Sequence, residues 1–574
     1  MDSALSKVRF LFFRRMRAPL IAIILTYAIS ILGLVLIPGM DDQGNPWQMS
    51  FFHAFYFVSF MGSTIGFGEI PYPFTDPQRI WTTVAMYLTV IAWLYAIGSL
   101  LSLIQDQAFR RVVAYTSFAH AVKQIREPFY LVCGFGGAGQ LVIRELAEHG
   151  IRSVILDKDE TRIHSLQLEE LPMHVPGLTA DVTDSNALMT AGLNKQHCAG
   201  IIVLTGNDQV NLTVAITSKL LAPDLPVICR AQSHDAQANI ASLGTETIIN
   251  PFDIFAERLA MMFQSPSMYL VYEWMTSLHE TPLSEFAAPP RGTWILCGYG
   301  RFGKALQKSL SFKGIQTTII EADVAGTNAP EGVIEGRGTE AITLHEAGIE
   351  QAVGLIAGTD DDANNLSIIM TGLYINKDLF TIARQNRSNN DAIFAAADTD
   401  MTMHSGRLVG KQVIDILTMP LLRDFLRMAI LQNDDWANVL VSRIVGILTD
   451  RPPESWELTI STRQSPAVTQ LLKKNMTVTV KDLLTDPRDI STSLPCVPLF
   501  IKHQNNQELL LPADETPLQI GDQLLICGHP TAETHMRWTA RNFHALTHIC
   551  TGCDRPRGNL WRWLSAPRSN RNNA

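Results

Sequence analysis

Cysteine is scarce in this chain: eight residues are scattered through 574. Most sit in apolar, strand-like runs such as Leu131-Val132-Cys133. That placement suits reduced thiols in a cytosolic setting and excludes a disulfide framework. Basic charge is short as well. Lys and Arg number 46 against 55 Asp and Glu, a net charge of −9, which excludes general nucleic-acid binding. Charge of either sign is missing altogether from 18–40, a run of 23 residues, and from 80–105, a run of 26. Each is long enough to cross a bilayer as a helix. The first follows a basic amino terminus (Lys7, Arg9, Arg14, Arg15, Arg17) yet exceeds a signal core and lacks a small-residue cleavage site, so it reads as a span.

Between the spans lies a third apolar run, Phe51–Gly62, too short to cross and suited to a re-entrant segment. It leads into Ser63-Thr64-Ile65-Gly66-Phe67-Gly68-Glu69. Two glycines around one aromatic permit an extended backbone whose carbonyls face one axis, and the Thr hydroxyl adds a further oxygen. Rings of such oxygens replace the water shell of a dehydrated cation. Thr64, Ile65, Gly66, Phe67 and Gly68 resemble the potassium-channel filter signature, with Ile for the usual Val and Phe for the usual Tyr. One such loop cannot surround an ion, so four copies are expected. Basic flanks before the first span and at Arg110-Arg111 put both termini in the cytoplasm and face the filter outward. Gly98, near the cytoplasmic end of the second span, admits two readings: a gating bend, or a small residue for close helix packing.

Beyond residue 127 the chain repeats itself. Tyr130–Gly139 and Trp294–Gly303 each read strand, then G-x-G-x-x-G, then amphipathic helix. A second strand follows each and ends in an acid, Asp157 or Glu321, at the same 164-residue offset as the first glycines. Glycines let backbone approach a pyrophosphate at the helix amino terminus, and the acid accepts from a ribose hydroxyl. The repeat continues through Asp181 and Arg337, through Asn207–Leu212 and Asp361–Leu366, and to strands ending in Arg230 and Arg384. Duplicated in full, the pattern specifies a Rossmann-type nucleotide fold.

Together with the pore, this duplication resembles two-transmembrane, prokaryotic-type potassium channels with tandem RCK domains, also called TrkA-N and TrkA-C. The resemblance implies a membrane α-helical pore followed by two α/β Rossmann-like domains and a small α+β carboxy-terminal lobe. The boundaries expected are a cytoplasmic amino terminus at 1–17 and a pore domain at 18–105. Within the latter lie spans at 18–38 and 80–105, a pore helix at 51–62 and the filter at 63–69. A linker comes next at 106–127, and then the first RCK domain at 128–288, with its Rossmann lobe to 250 and its crossover helix and hairpin at 251–286. The second Rossmann lobe with its crossover helix occupies 291–432, the carboxy-terminal lobe 433–530, and a tail 531–574. The family further implies a homotetramer with an eight-domain cytosolic ring in the cell membrane. It also implies that the assembly passes K⁺, is gated by NAD or an adenine nucleotide, and is not an enzyme.

The candidate nucleotide contacts in the first copy are Gly134, Phe135, Gly136, Gly137, Ala138, Gly139, Asp157, Lys158 and Asp181. In the second they are Gly298, Gly300, Arg301, Phe302, Gly303, Glu321 and Arg337. There, Arg301 and Phe302 replace Gly137 and Ala138, and Arg337 replaces Asp181. Either that site takes a more anionic ligand, or its glycines only hold the fold. Asp360, Asp361 and Asp362 offer calcium ligands, or else a helix cap. His544, His548, Cys550 and Cys553 have zinc-like chemistry in a compact spacing that suits incidental thiols better. The Arg- and Trp-bearing end, 555–574, reads as a tail or a membrane-surface contact. Two further classes fit part of the pattern. A membrane-anchored NAD-dependent oxidoreductase would leave the pore loop without purpose and finds no hydride-transfer constellation. A regulatory subunit of a potassium uptake system would have no pore.

Overall fold

The protein is described from a computed structural model, which covers residues 2–245, 247–276, 288–447 and 452–552. It divides into two compact units, one built chiefly of Met1–Arg126 and the other of most residues from Glu127 onward.

In the first unit, helix α1 runs Asp2–Leu36, starting well before the uncharged run. Helix α2 spans Phe51–Gly62, its amino end capped by Ser50 Oγ, which accepts from the His53 N–H. At 1.5 Å per residue, twelve residues reach about 18 Å, well short of a bilayer core. Helix α3, Asp76–Gln105, begins four residues ahead of the expected span. Pro77 in its first turn and Gln78 Oε1, which accepts from the Thr75 N–H at 3.1 Å, set that start. Phe12–Leu36 and Asp76–Gln105 are both long and apolar enough to cross a membrane. A small core of Ile31, Leu34, Ala54, Phe57, Val58 and Phe60 seats α2 against α1. By contrast Ile24, Leu25, Ile91 and Leu94 are exposed on the single chain. Helix α4, Gln107–Gln124, comes directly after, capped by Asp106, whose carboxylate also meets Arg15 at 3.1 Å.

From Glu127 onward the chain first forms a six-stranded sheet: β1 Phe129–Cys133, β2 Arg152–Asp157, β3 Gly177–Thr179, β4 Cys198–Val203, β5 Val227–Arg230 and β6 Thr247–Ile249. Their order across the sheet is β3-β2-β1-β4-β5-β6. The second copy repeats it: β7 Thr293–Cys297, β8 Gln316–Glu321, β9 Ile334–Glu335, β10 Gly354–Ala357, β11 Phe380–Gln385 and β12 Met401–His404, ordered β9-β8-β7-β10-β11-β12. Near-continuous runs of Val, Ile and Leu form the central strands, because helices cover both faces of a parallel sheet. The strand order reverses beside β1 and beside β7, the place where doubly wound sheets open a crevice.

The helices that bear on the crevices are α5 (Gly137–Glu148) in the first copy and α9 (Arg301–Phe312) in the second. Each strand-to-helix pair is also crossed by a helix from the other copy. Helix α7 (Pro251–Gln264) leaves the first sheet and buries Phe252, Phe255 and Leu259 in one core with Phe302, Leu306 and Trp294 of the second. Helix α11 (Ser405–Thr418) makes the return, placing Val409, Val413 and Ile414 against Val142, Ile143 and Leu146. Helices α6 (Asp208–Leu221) and α10 (Asp362–Ile375) occupy equivalent places after β4 and β10. The single crossover helix expected at the end of 291–432 is two helices: α11, then α12 (Pro420–Ala429), broken where Pro420 cannot donate its N–H. With α8 (Pro266–Thr276) and α13 (Asp434–Val445), α12 forms a further core that includes Val497 and Phe500.

The last lobe is a four-stranded antiparallel sheet of β13 (Glu454–Thr459), β14 (Cys496–Lys502), β15 (Glu508–Leu510) and β16 (Gln523–Gly528), ordered β13-β16-β14-β15. It does not end at 530. Helices α15 (Pro530–Arg541) and α16 (Phe543–Thr551), with α14 (Pro466–Lys473), bury Ala532, Met536, Ala540 and Leu546 in its core. Their few apolar residues lie on one face amid polar ones, a weak signal beside a strand pattern that closes at Gly528. Residues 553–574, and with them Cys553 and the Arg/Trp end, lie outside the described residues.

Candidate functional site: a re-entrant loop and two crevices

In the first unit, Ser63 closes α2, and Thr64 to Gly68 continue without regular structure. Backbone φ is positive at Thr64 (64°), Gly66 (65°) and Gly68 (70°), but not at Ile65 or Phe67. Alternation of that kind turns successive peptides so that their carbonyls share a side. Phe60 O fixes the turn by accepting from the Ile65 and Gly66 N–H groups, at 3.1 and 3.2 Å. Tyr56 on α2 donates its hydroxyl to Glu69 at 3.1 Å, tying the end of the loop back to the helix. Gly98 sits inside the unbroken α3, and a Cβ there would meet nothing within 4 Å. Packing inside one chain therefore does not call for glycine at 98.

In the second unit the two crevices share one construction. Gly134 and Gly298 leave their strands at φ +105° and +97°, the left-handed region that L side chains avoid. A Cβ on Gly139 or Gly303 would lie 2.2 or 2.1 Å from the carbonyl oxygen of Gly134 or Gly298. The loop can therefore close only with glycine at both ends.

The acids have a role that their ribose assignment omits. Asp157 is 4% exposed; its Oδ2 accepts from the Phe135 N–H at 2.6 Å and its Oδ1 from the Asp159 N–H at 2.8 Å. Glu321 likewise accepts from the Tyr299 N–H and, at 2.9 Å, from the Asp323 N–H. Each acid thus locks the glycine loop to its neighbouring strand. Asp181 accepts from the Thr183 N–H and hydroxyl at 2.9 and 2.8 Å, and those bonds hold its carboxyl below the usual range.

A cavity of about 500 Å³ is lined by Gly134, Gly136, Gly137, Ala138, Asp157, Lys158 and Asp181, which brings together most of the first-copy candidates. Two are set apart: Phe135 is wholly buried in the core, and Gly139 packs on the loop itself. A second cavity of about 490 Å³ is lined by Gly298, Gly300, Arg301, Glu321 and Arg337. Phe302 and Gly303 stand outside it, Phe302 because its ring lies under Phe252 and Phe255.

Further residues line these cavities. Arg230 faces the first and Arg384 the second, at equivalent strand ends. Burial brings both guanidinium groups down to about 10; the Asp208 charge opposes this at Arg230, while Arg301 adds to it at both. Both remain cationic at neutral pH. Arg384 stacks over Phe252 at 5.0 Å, and Arg301 reaches across to Asp208 of the first copy at 4.0 Å. From the second copy, Asn386, Ser388 and His404 line the first cavity. Only the repeated Arg230 and Arg384 carry a signal in the sequence. The other three lie more than 240 residues from Gly137 in the chain and belong to a different copy.

The acidic run serves the fold. Asp361 caps α10 by accepting from the Asn364 N–H, and Asp362 accepts from Asn386, Arg387 and Asn390 at 2.6–3.1 Å. Burial alone would raise the Asp362 carboxyl; those bonds outweigh it and hold the group below its ordinary value. Asp360 lines the second cavity. Among the described residues, no three His, Cys, Asp or Glu side chains are grouped to hold a metal ion. His544, His548 and Cys550 lie on α16, where burial pushes the Cys550 thiol up to about 12, helped by Asp482.

Comparison with known proteins agrees with this layout. The ion-channel family model matches residues 20–106, and the TrkA-N domain matches 130–251 and again 294–405. Potassium channel protein 1 of Methanocaldococcus jannaschii is 23% identical over 269 residues, covering 47% of this chain and 75% of that protein. An uncharacterised protein of Methanothermus fervidus is 27% identical over 226 residues, covering 39% of this chain and 34% of its own length. The chain thus spans about a third of one relative and three quarters of the other. A solved structure of the GsuK channel bound to NAD aligns over 93% of this chain and 99% of its own, at 16% identity and a TM-score of 0.44. The chain thus joins an ion-channel domain to two TrkA-N domains, and over about half its length it is similar to a potassium channel protein.

Proposed function

We propose that the protein is a potassium channel of the cell membrane, opened or closed by a nucleotide bound in its cytosolic domains. One observation carries this reading. A filter-like loop with alternating φ succeeds a re-entrant helix between two apolar spans, in the same chain as two dinucleotide-type crevices. Four chains would place the Thr64, Ile65, Gly66 and Phe67 carbonyls around one axis to coordinate K⁺. The exposed Ile24, Leu25, Ile91 and Leu94 would then meet lipid or neighbouring chains. The four chains contribute eight RCK domains, and the termini are cytoplasmic. The name of the Methanocaldococcus jannaschii relative, a potassium channel protein, supports the choice of ion.

In the first cavity, Gly136, Gly137 and Ala138 at the amino end of α5 would take the phosphates of NAD or an adenine nucleotide, with Lys158 beside them. Asp157 keeps lone pairs for a ribose hydroxyl while it holds the loop. The second cavity is lined by three arginines, Arg301, Arg337 and Arg384, and suits a more anionic ligand. Calcium has less support, since Asp361 and Asp362 are engaged in the fold. A ligand favouring one arrangement of the two copies would bias the second span, α3, through α4. Protein reconstituted alone into liposomes should release K⁺ in strong preference to Na⁺. Liposomes that retain K⁺, or that release both ions equally, would refute the channel reading.

A further inference from the structure

The second copy reaches into the first-copy cavity with one side chain whose hydrogen bonding can be worked out atom by atom. His404 is the N-cap of α11, and its Nδ1 accepts from the Arg407 N–H at 3.1 Å. Burial lowers the pKa of this ring and the nearby Arg407 lowers it further, against the charges of Asp391 and Asp362. With Nδ1 used as an acceptor, its proton lies on Nε2. Nε2 stands 3.2 Å from Ser388 Oγ and donates to it. The Ser388 proton is therefore left to be given elsewhere. A Cβ built on Gly137 would come within 2.9 Å of Ser388 Oγ, so the hydroxyl faces the phosphate loop at close range. Both residues line the first cavity. In the same cavity, the buried Nε of Arg230 has no hydrogen-bond partner.

We propose that Ser388, oriented by His404, is a phosphate-binding donor of the first-copy site, so that a nucleotide there is held by both copies at once. This rests on the nucleotide reading above and adds a direction to it. A phosphate bonded by both Gly137 and Ser388 joins the amino end of α5, through the Ser388–His404 hydrogen bond, to the amino end of α11. Ligand binding in one copy thereby fixes the crossover helix of the other. The same geometry accounts for Gly137, where any side chain would occupy the space in which hydroxyl and phosphate meet.

The test uses the full chain in detergent or nanodiscs, with ADP and adenosine as calorimetric probes. Ser388→Ala should weaken ADP about tenfold, the effect of one hydrogen bond to a charged acceptor. Adenosine, which has no phosphate, should change less than about twofold, and Ser388→Thr should restore ADP affinity. His404→Asn, which keeps a capping oxygen but loses the Nε2 donor, should weaken ADP by a smaller factor with the same indifference to adenosine. ADP affinity that is lost in Asp157→Ala but unchanged in Ser388→Ala would overturn this inference alone. Equal losses for ADP and adenosine in Ser388→Ala would also overturn it, as general damage to the site. Absence of ADP binding to the unaltered protein would overturn the nucleotide reading and this inference together.

Discussion

The two Rossmann copies share strand order, glycine loops and acid locks, yet they meet each other's crossover helices with opposite bulk. Phe252 at the start of α7 packs on Phe302, with ring centroids 5.8 Å apart. The equivalent place on α11 is Gly406, and it faces Ala138, whose backbone nitrogen lies 3.3 Å from where a Cβ would stand. Large meets large at one junction, and small meets small at the other. The aromatic junction fills its space and carries Arg301 and Arg384 over the Phe252 ring. The small junction lets backbone approach backbone and leaves room for His404 and Ser388 at the neighbouring loop. A duplicated fold can thus fill one junction with rings and leave the other open for the ligand proposed above.

The largest effect should come from emptying the aromatic junction. Phe252→Ala removes a ring that is 2% exposed and should cost about 3–5 kcal/mol in chemical unfolding of the purified protein. Gly406→Ala instead overfills its junction and should cost about 1–3 kcal/mol. If Gly406→Ala proved the more damaging, the assignment of rigid and open junctions would be reversed. Next in size is ligand binding. Asp157→Ala removes both the lock on the first glycine loop and a ribose acceptor, and should lower ADP affinity about 100-fold, equivalent to ~2.7 kcal/mol. Glu321→Ala breaks the corresponding lock in the second copy and should leave that affinity within about threefold. Equal losses would mean that the two cavities do not divide their roles as described.

A smaller effect concerns pH. Asp415 on α11 stands where α7 carries Met261, and burial raises its carboxyl to about 7 against the pull of Lys411 and Arg258. A folded-state value above the unfolded one means that stability is fullest below about pH 4 and declines as pH rises through about 7. One proton sets a limit of ~1.4 kcal/mol per pH unit on that decline. Asp415→Asn should flatten the fall in melting temperature between pH 5.5 and 8. A slope identical to the unaltered protein would show that this carboxyl is not the titrating group.

Much of the architecture was legible in the sequence because its signals are local. Uncharged runs, glycine spacing and strands ending in acids each sit within about thirty residues. The acids were legible as site residues but not as loop locks, since that role depends on the Phe135 and Tyr299 N–H groups turning toward them. Asp361 and Asp362 showed charge in the sequence and only in three dimensions showed their partners. Ser388 and His404 were not legible at all as part of the first cavity. Their place there depends on α11 crossing from one copy to the other, and no pattern within either copy encodes it. The helices at 530–551 were missed for a related reason: their apolar face has meaning only against the sheet that it covers.

Potassium flux from liposomes holding the protein alone, measured with and without ADP on the side of the RCK domains, tests the central claim most directly. The account predicts K⁺-selective flux that changes severalfold with ADP, and a response to ADP that Asp157→Ala removes while selective flux remains. Selective flux that is indifferent to ADP and to NAD in the unaltered protein would contradict it.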